Sequence, residues 1–100
     1  MINQAALLSK YDDKASNYYL VDVRTPNEFF SRHVPGSINI PIDTLEKRFI
    51  ELPLDKHIIT ICEQGVRSGN CEDFLKNKGF QVDSLEKGLA AWTGQIEKSN

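Results

Sequence analysis

The run His57-Ile58-Ile59-Thr60-Ile61 limits the possible folds more than any other stretch of this chain. It has too little polar alternation for an edge strand with one wet face, and it fits a central strand covered on both sides. A doubly covered strand needs helices on both faces of its sheet. Helix-like and strand-like patterns do alternate along the chain, so the expected fold is α/β, with a mostly parallel central sheet and helices on both faces.

The pattern can be followed segment by segment. Asn3 is placed to cap a short helix through Leu8, whose apolar side is Ala5, Ala6, Leu7 and Leu8. Residues 12–17 are polar and read as loop. Tyr18-Tyr19-Leu20-Val21-Asp22-Val23 is aromatic and β-branched and reads as a buried strand. Thr25-Pro26-Asn27-Glu28 then opens a helix, with Thr25 as N-cap, Pro26 at the first helical position and Glu28 closing a capping box. Pro35-Gly36 turns the chain into a brief strand, Ser37-Ile38-Asn39-Ile40, which Pro41 stops. Asp43 or Thr44 can cap a helix to about Leu52, with Leu45, Phe49 and Leu52 on one face and Pro53 ending it. A longer helix is expected from about Arg67 to Lys78, with Cys71, Phe74 and Leu75 inward and Gly79 as its C-cap. Phe80 to Leu85 is the last strand and Leu89-Ala90-Ala91-Trp92 the last helix.

Cys62 ends the central strand and opens the segment Cys62-Glu63-Gln64-Gly65-Val66-Arg67-Ser68, which leads into the longest helix. Ligands of open α/β sheets collect at the carboxyl ends of the strands. A tight glycine-containing loop before a helix also gathers unpaired amides at the positive end of the helix dipole. Such a place favours an anion, the cysteine's own thiolate included. One hundred residues make one domain with one core, read here as residues 1–100. A net charge of −2 gives no electrostatic case for nucleic acid or for an anionic membrane. No apolar run is long enough to cross a bilayer, and the first ten residues lack the pattern of a secretory signal. Two cysteines in an otherwise unstapled chain suggest reduced thiols and a cytoplasmic location.

The loop Cys62, Gly65, Arg67, Ser68 resembles the Cys-x-x-Gly-x-Arg-Ser active-site loop of the single-domain rhodanese (sulfurtransferase) family. Upstream, Asp22-Val23-Arg24, Glu28-Phe29 and His33-Val34-Pro35-Gly36-Ser37-Ile38-Asn39-Ile40-Pro41 resemble that family's Asp-x-Arg…Glu-Phe…His-Ile-Pro-Gly-Ala-x-Asn-Ile-Pro signature. Downstream, Lys87-Gly88-Leu89-Ala90-Ala91-Trp92 resembles its Gly-Gly-x-x-x-Trp ending. The resemblance implies the rhodanese-like fold and sulfur transfer through a Cys62 persulfide. The donor is thiosulfate or a persulfide, and the acceptor a thiol or, in the assay, cyanide. It also implies that amides of residues 63–67 hold the sulfur anion. The site is then Cys62 as nucleophile, with Glu63, Gln64, Gly65, Val66 and Arg67 around the substrate. No cofactor or metal is called for, since His33 and His57 are too far apart in sequence to join Cys62 around a metal ion. The expected partners are a small-molecule sulfur donor, a thiol acceptor and a sulfur-relay protein, with neither nucleic acid nor membrane.

Three residues depart from the family pattern. Lys87 stands where the first glycine of the C-terminal signature is common and Arg32 where a glycine often precedes the histidine, both outside the catalytic loop. Glu63 stands where many thiosulfate-using members carry a basic or neutral residue. With Arg67 as the only nearby formal positive charge, Glu63 is expected to repel a dianionic donor. Arg24 and Glu28 are read as a structural ion pair, His33 as a turn or surface residue, and Cys71 and Trp92 as core. Two other functions compete. Cysteine phosphatases place five residues between cysteine and arginine, whereas Cys62 and Arg67 enclose four, a ring better suited to one sulfur than to a phosphate. Non-catalytic rhodanese-type interaction modules commonly lack the cysteine.

Overall fold

The computed structural model describes residues 1–11 and 17–98. Residues 12–16, expected as loop, lie outside the described residues. Strand β1 (Tyr18–Asp22) pairs in parallel with β3 (His57–Ile61), from Tyr18 opposite His57 to Asp22 opposite Ile61. β2 (Ile38–Asn39) extends the sheet beyond β1, and β4 (Gln81–Ser84) extends it beyond β3. The order is therefore β2-β1-β3-β4 with every pairing parallel, and the apolar run at 57–61 is central.

Alternation along the strands divides the core in two. Val21, Val23, Ile58, Cys62 and Val82 face α3 (Leu45–Arg48) and α4 (Val66–Asn77), packing on Leu45, Leu52, Cys71, Leu75 and Phe80. Leu20, Ile59 and Ile61 face the other way. They pack on Leu7 of α1 (Gln4–Tyr11) and on Val34, Leu85, Leu89 and Trp92. A run without polar alternation is what a strand covered on both faces requires.

Local signals place the helix ends. The Asn3 side chain accepts the Ala6 amide, and the helix it opens runs three residues past Leu8. α2 (Pro26–Ser31) carries the capping box in full: Thr25 Oγ1 accepts from the Glu28 amide at 3.3 Å, and Glu28 Oε1 from the Thr25 amide at 3.1 Å. α4 ends in a Schellman motif. Gly79, at φ 92°, donates to Lys76 O, and Phe80 donates to Leu75 O.

Two helices differ from expectation. The segment from Asp43 to Leu52 is a 3-10 turn (Ile42–Thr44), the four-residue α3, and a second 3-10 turn (Phe49–Glu51). Thr44 Oγ1 donates to Pro41 O and caps no helical amide. So short a helix gains little from propensity, and burial of Leu45 and Leu52 decides its path. Pro53 does stop it, with Leu52 extended before the ring. The last segment is only a 3-10 turn, Leu89–Ala91, because the chain turns extended at Trp92.

Candidate functional site

Asp22 and Arg24 leave the carboxyl end of β1 beside the point where Cys62 leaves β3. Cys62 is fully buried. Its Sγ accepts the Gly65 amide at 2.9 Å and lies 3.3 Å from Ser68 Oγ, which donates to Gly65 O. Of the amides expected around the sulfur, that of Gly65 reaches it. Gly65 is in the left-handed region at φ 92°, and a Cβ there would lie 3.1 Å from the Lys87 nitrogen. As N-cap of α4 it offers no side chain to the first amides of that helix.

The loop is clamped from behind. Leu89 N donates to Cys62 O and Ala90 N to Glu63 O, both at 2.8 Å. Both amides lie in the first turn of their segment, where no helical carbonyl would have taken them. Gly88 sits against the same backbone, where a Cβ would come within 2.5 Å of Cys62 O. The close approach gives the glycine of the C-terminal signature its physical reason.

Charged groups close the other side. Arg24 is 1% exposed and holds buried Asp22 through Nε and Nη2, the latter at 2.8 Å. Burial works against its charge, but Asp22, with help from Glu63 and Glu28, outweighs that and raises its pKa. Arg24 also reaches Glu63 at 3.3 Å, and its Nη2 donates to Arg32 O. Arg32 binds the second Glu63 oxygen at 3.0 Å. Arg67 takes both oxygens of Glu28, each at 3.2 Å. That guanidinium holds the Glu28 carboxyl down to about 2, burial opposing and the Thr25 amide assisting.

Three sequence expectations are corrected here. Arg24 and Glu28 do not form the expected pair, because Asp22 and Glu63 hold the first and Arg67 the second. Arg67 is not the only cation near Glu63, which Arg24 and Arg32 both bind. His33 is buried and stacked on Phe29, its Nδ1 2.8 Å from Phe29 O, and is no surface residue. Cys71 is core, as expected, and burial pushes its thiol up to about 11.

A cavity of about 270 Å³ opens against Cys62, lined by Glu28, Cys62, Glu63, Gln64 and Arg67. It gathers four of the six expected site residues. Gly65 contributes its amide, and Val66 begins α4 with its side chain outside the described residues. Sequence reasoning gave no site role to Glu28, Ser68, Gly88 or the Asp22–Arg24 pair. Ser68 and Gly88 stood in the motifs, whereas the wall position of Glu28 depends on a contact across 39 residues. Among the described residues no His, Cys, Asp and Glu cluster suits a metal ion.

Fold and site together define an α/β domain that holds a cysteine, its sulfur accepting the Gly65 amide, at the carboxyl end of its central strand. Residues 3–95 match the Rhodanese-like domain family, and the chain belongs to it. It is 31% identical over 99 residues to the putative sulfurtransferase YtwF of Bacillus subtilis, covering 99% of this chain and 95% of that protein. It is 30% identical over 80 residues to the thiosulfate sulfurtransferase GlpE of Shewanella oneidensis, covering 79% of each. A crystal structure of a rhodanese-related protein from Thermoplasma volcanium superposes with a TM-score of 0.89 at 31% identity, covering 96% of this chain and 95% of that one. The chain spans only 63% of YqhL and 46% of the putative sulfur carrier protein YrkF, both of Bacillus subtilis, at 38% and 35% identity over 78% and 85% of its own length. The family and these relatives support sulfurtransferase activity as the general class. No helix among the described residues is long and apolar enough to cross a membrane.

Proposed function

We propose that residues 1–100 act as one sulfurtransferase domain that carries sulfane sulfur on Cys62. The Cys62 thiolate attacks the outer sulfur of thiosulfate or of a persulfide. The donor's S–S bond breaks, its electron pair leaves with sulfite or with the donor thiolate, and Cys62 keeps the sulfur as a persulfide anion. Cyanide or an acceptor thiolate then attacks that outer sulfur, and Cys62 leaves as thiolate. The observation that carries this reading is the position of Sγ, 2.9 Å from the Gly65 amide, in a residue that lines a cavity. A fixed donor there meets negative sulfur before and after transfer without reorganising. The Ser68 hydroxyl, now donating to Gly65 O, can rotate to give Sγ a second donor.

Arg67 speaks against a phosphatase, since its guanidinium is turned to Glu28. The acceptor side includes a sulfur-relay protein as well as small thiols, in keeping with the carrier name of YrkF. Free Cys62 and Cys71 suit the cytoplasm. The test is intact mass after exposure to thiosulfate and, separately, to glutathione persulfide. One sulfur should be added and then released by cyanide as thiocyanate, and Cys62→Ser should lose both steps. Sulfur loading that survives in Cys62→Ser refutes the mechanism.

A further inference from the structure

Arg67 lines the Cys62 cavity, and Arg24 and Arg32 bind its lining residue Glu63. Each of the three guanidiniums is held by a carboxylate of the chain: Arg24 by Asp22 and Glu63, Arg32 by Glu63, and Arg67 by Glu28. Three carboxylates balance three guanidiniums in this cluster, and the charged residues that line the cavity, Glu28, Glu63 and Arg67, carry one formal negative charge between them. A dianion arriving there finds a cation only by displacing a carboxylate. Arg24 is out of reach, being buried with its nitrogens spent on Asp22, Glu63 and Arg32 O. Arg32 shares the Glu63 carboxylate with Arg24. Arg67 is different. It lines the cavity beside Cys62, it is about a third exposed, and Glu28 covers both of its terminal nitrogens in the two-pronged geometry that a thiosulfate or sulfate would use.

We propose that Glu28 is a specificity-determining residue: its carboxylate occupies the Arg67 guanidinium as a built-in competitor for dianionic donors, and so biases the cavity toward organic persulfides, whose other charges lie far from the reacting sulfur. This rests on the sulfurtransferase reading above. It also shifts the electrostatic selection expected of Glu63, which two arginines hold, onto a residue of α2. That helix buries no side chain of its own. It is clasped at both ends, by Glu28 to Arg67 and by Arg32, its C-cap, to Glu63. Two of the three sequence departures, Arg32 and Glu63, are thus partners. Their pairing holds the Glu63 carboxylate between two cations and leaves Glu28 as the acid facing Arg67.

Glu28→Gln is a clean probe, because glutamine at this position still accepts the Thr25 amide and keeps the capping box while removing the charge. Its kcat/KM for thiosulfate should rise about fivefold, the scale of a part-exposed ion pair, with a smaller change for glutathione persulfide. Arg32→Gln should move the ratio the other way, because Glu63 then keeps only the cation it shares with Asp22. A readout free of turnover is protection of Cys62 from iodoacetamide by sulfate, which has no sulfur to transfer. Protection should need about fivefold less sulfate in Glu28→Gln than in the wild type. An unchanged donor ratio and unchanged sulfate protection in Glu28→Gln overturn the proposal. If the wild type transfers from neither donor, the sulfurtransferase reading fails, and sulfate protection alone still decides whether Glu28 blocks Arg67.

Discussion

Replacing Gly88 by alanine and, separately, Gly69 by alanine adds the same methyl group at two places with opposite consequences. Gly88 has φ 63° and ψ −162°, a region open essentially to glycine alone, and holding another residue there costs about 1–3 kcal/mol. The new Cβ would also lie 2.5 Å from Cys62 O and 2.6 Å from the Glu63 carbonyl, backbone atoms that cannot swing aside as a side chain would. Overpacking of that kind costs about 1–3 kcal/mol. Allowing the loop to shift and relieve part of both, we expect a loss of about 3 kcal/mol. For a domain of this size that lowers Tm by roughly 12–24 °C. Gly69 lies inside α4 with nothing within 4 Å of its Cβ position, so alanine there should stabilise by about 0.5–1 kcal/mol. The assay is thermal unfolding by circular dichroism, with sulfur loading measured on the same samples. Gly88→Ala should also load slowly, because relief of the clash moves the carbonyls that Leu89 and Ala90 hold. If Gly88→Ala melts within a few degrees of wild type and loads normally, the account of residues 88–90 as the clamp on the Cys62 loop is wrong.

Other outcomes follow from the same geometry. Cys71→Ala should keep most of the activity, and the Cys71 thiol, pushed by burial up to about 11, should alkylate slowly in the folded protein at pH 8; rapid alkylation or a Cys62–Cys71 disulfide during turnover would contradict this. Glu28 sits at about 2 when folded against an ordinary value of 4.5, so the unfolded state binds more protons between them. Its contribution is complete above about pH 4.5 and is lost as pH falls toward 2, so Glu28→Gln should flatten the acid limb of the stability curve in urea melts. Asp22→Ala would leave the buried Arg24 guanidinium with only the part-exposed Glu63 carboxylate and should cost about 3–5 kcal/mol, read as a shift in urea midpoint.

What was legible in the sequence was local in cause. The Thr25–Glu28 capping box and the Gly79 stop rest on atoms within six residues of one another, so residue order alone exposes them. The central strand was legible because burial on both faces leaves it apolar apart from His57 and the hydrogen-bonded Thr60. The Cys62 loop was legible because one tight turn brings the Gly65 amide onto Sγ three residues away. The misread parts were settled at a distance. Leu89 and Ala90 begin a helical turn, but their amides serve the carbonyls of Cys62 and Glu63, far earlier in the chain, and Gly94 lies against the Trp92 indole. Glu28 announced itself as a cap, which it is, while its second task depends on Arg67, 39 residues away in sequence and brought near only by the fold. Side chains with spare hydrogen-bonding capacity take such second partners, and no spacing rule reveals them.

An all-parallel sheet has no hairpin from which to start. The central pairing of β1 with β3 must close a gap of roughly 35 residues, an entropic cost of about 3 kcal/mol before a single ladder bond repays it. Contacts so remote in sequence make for slow assembly compared with a helical bundle of equal length. The order of synthesis adds a further consequence. Cys62 emerges well before residues 88–90, whose amides fix the carbonyls of its loop. A growing chain therefore carries an unframed cysteine, and the loop carbonyls around it are fixed only when the final turn folds onto them.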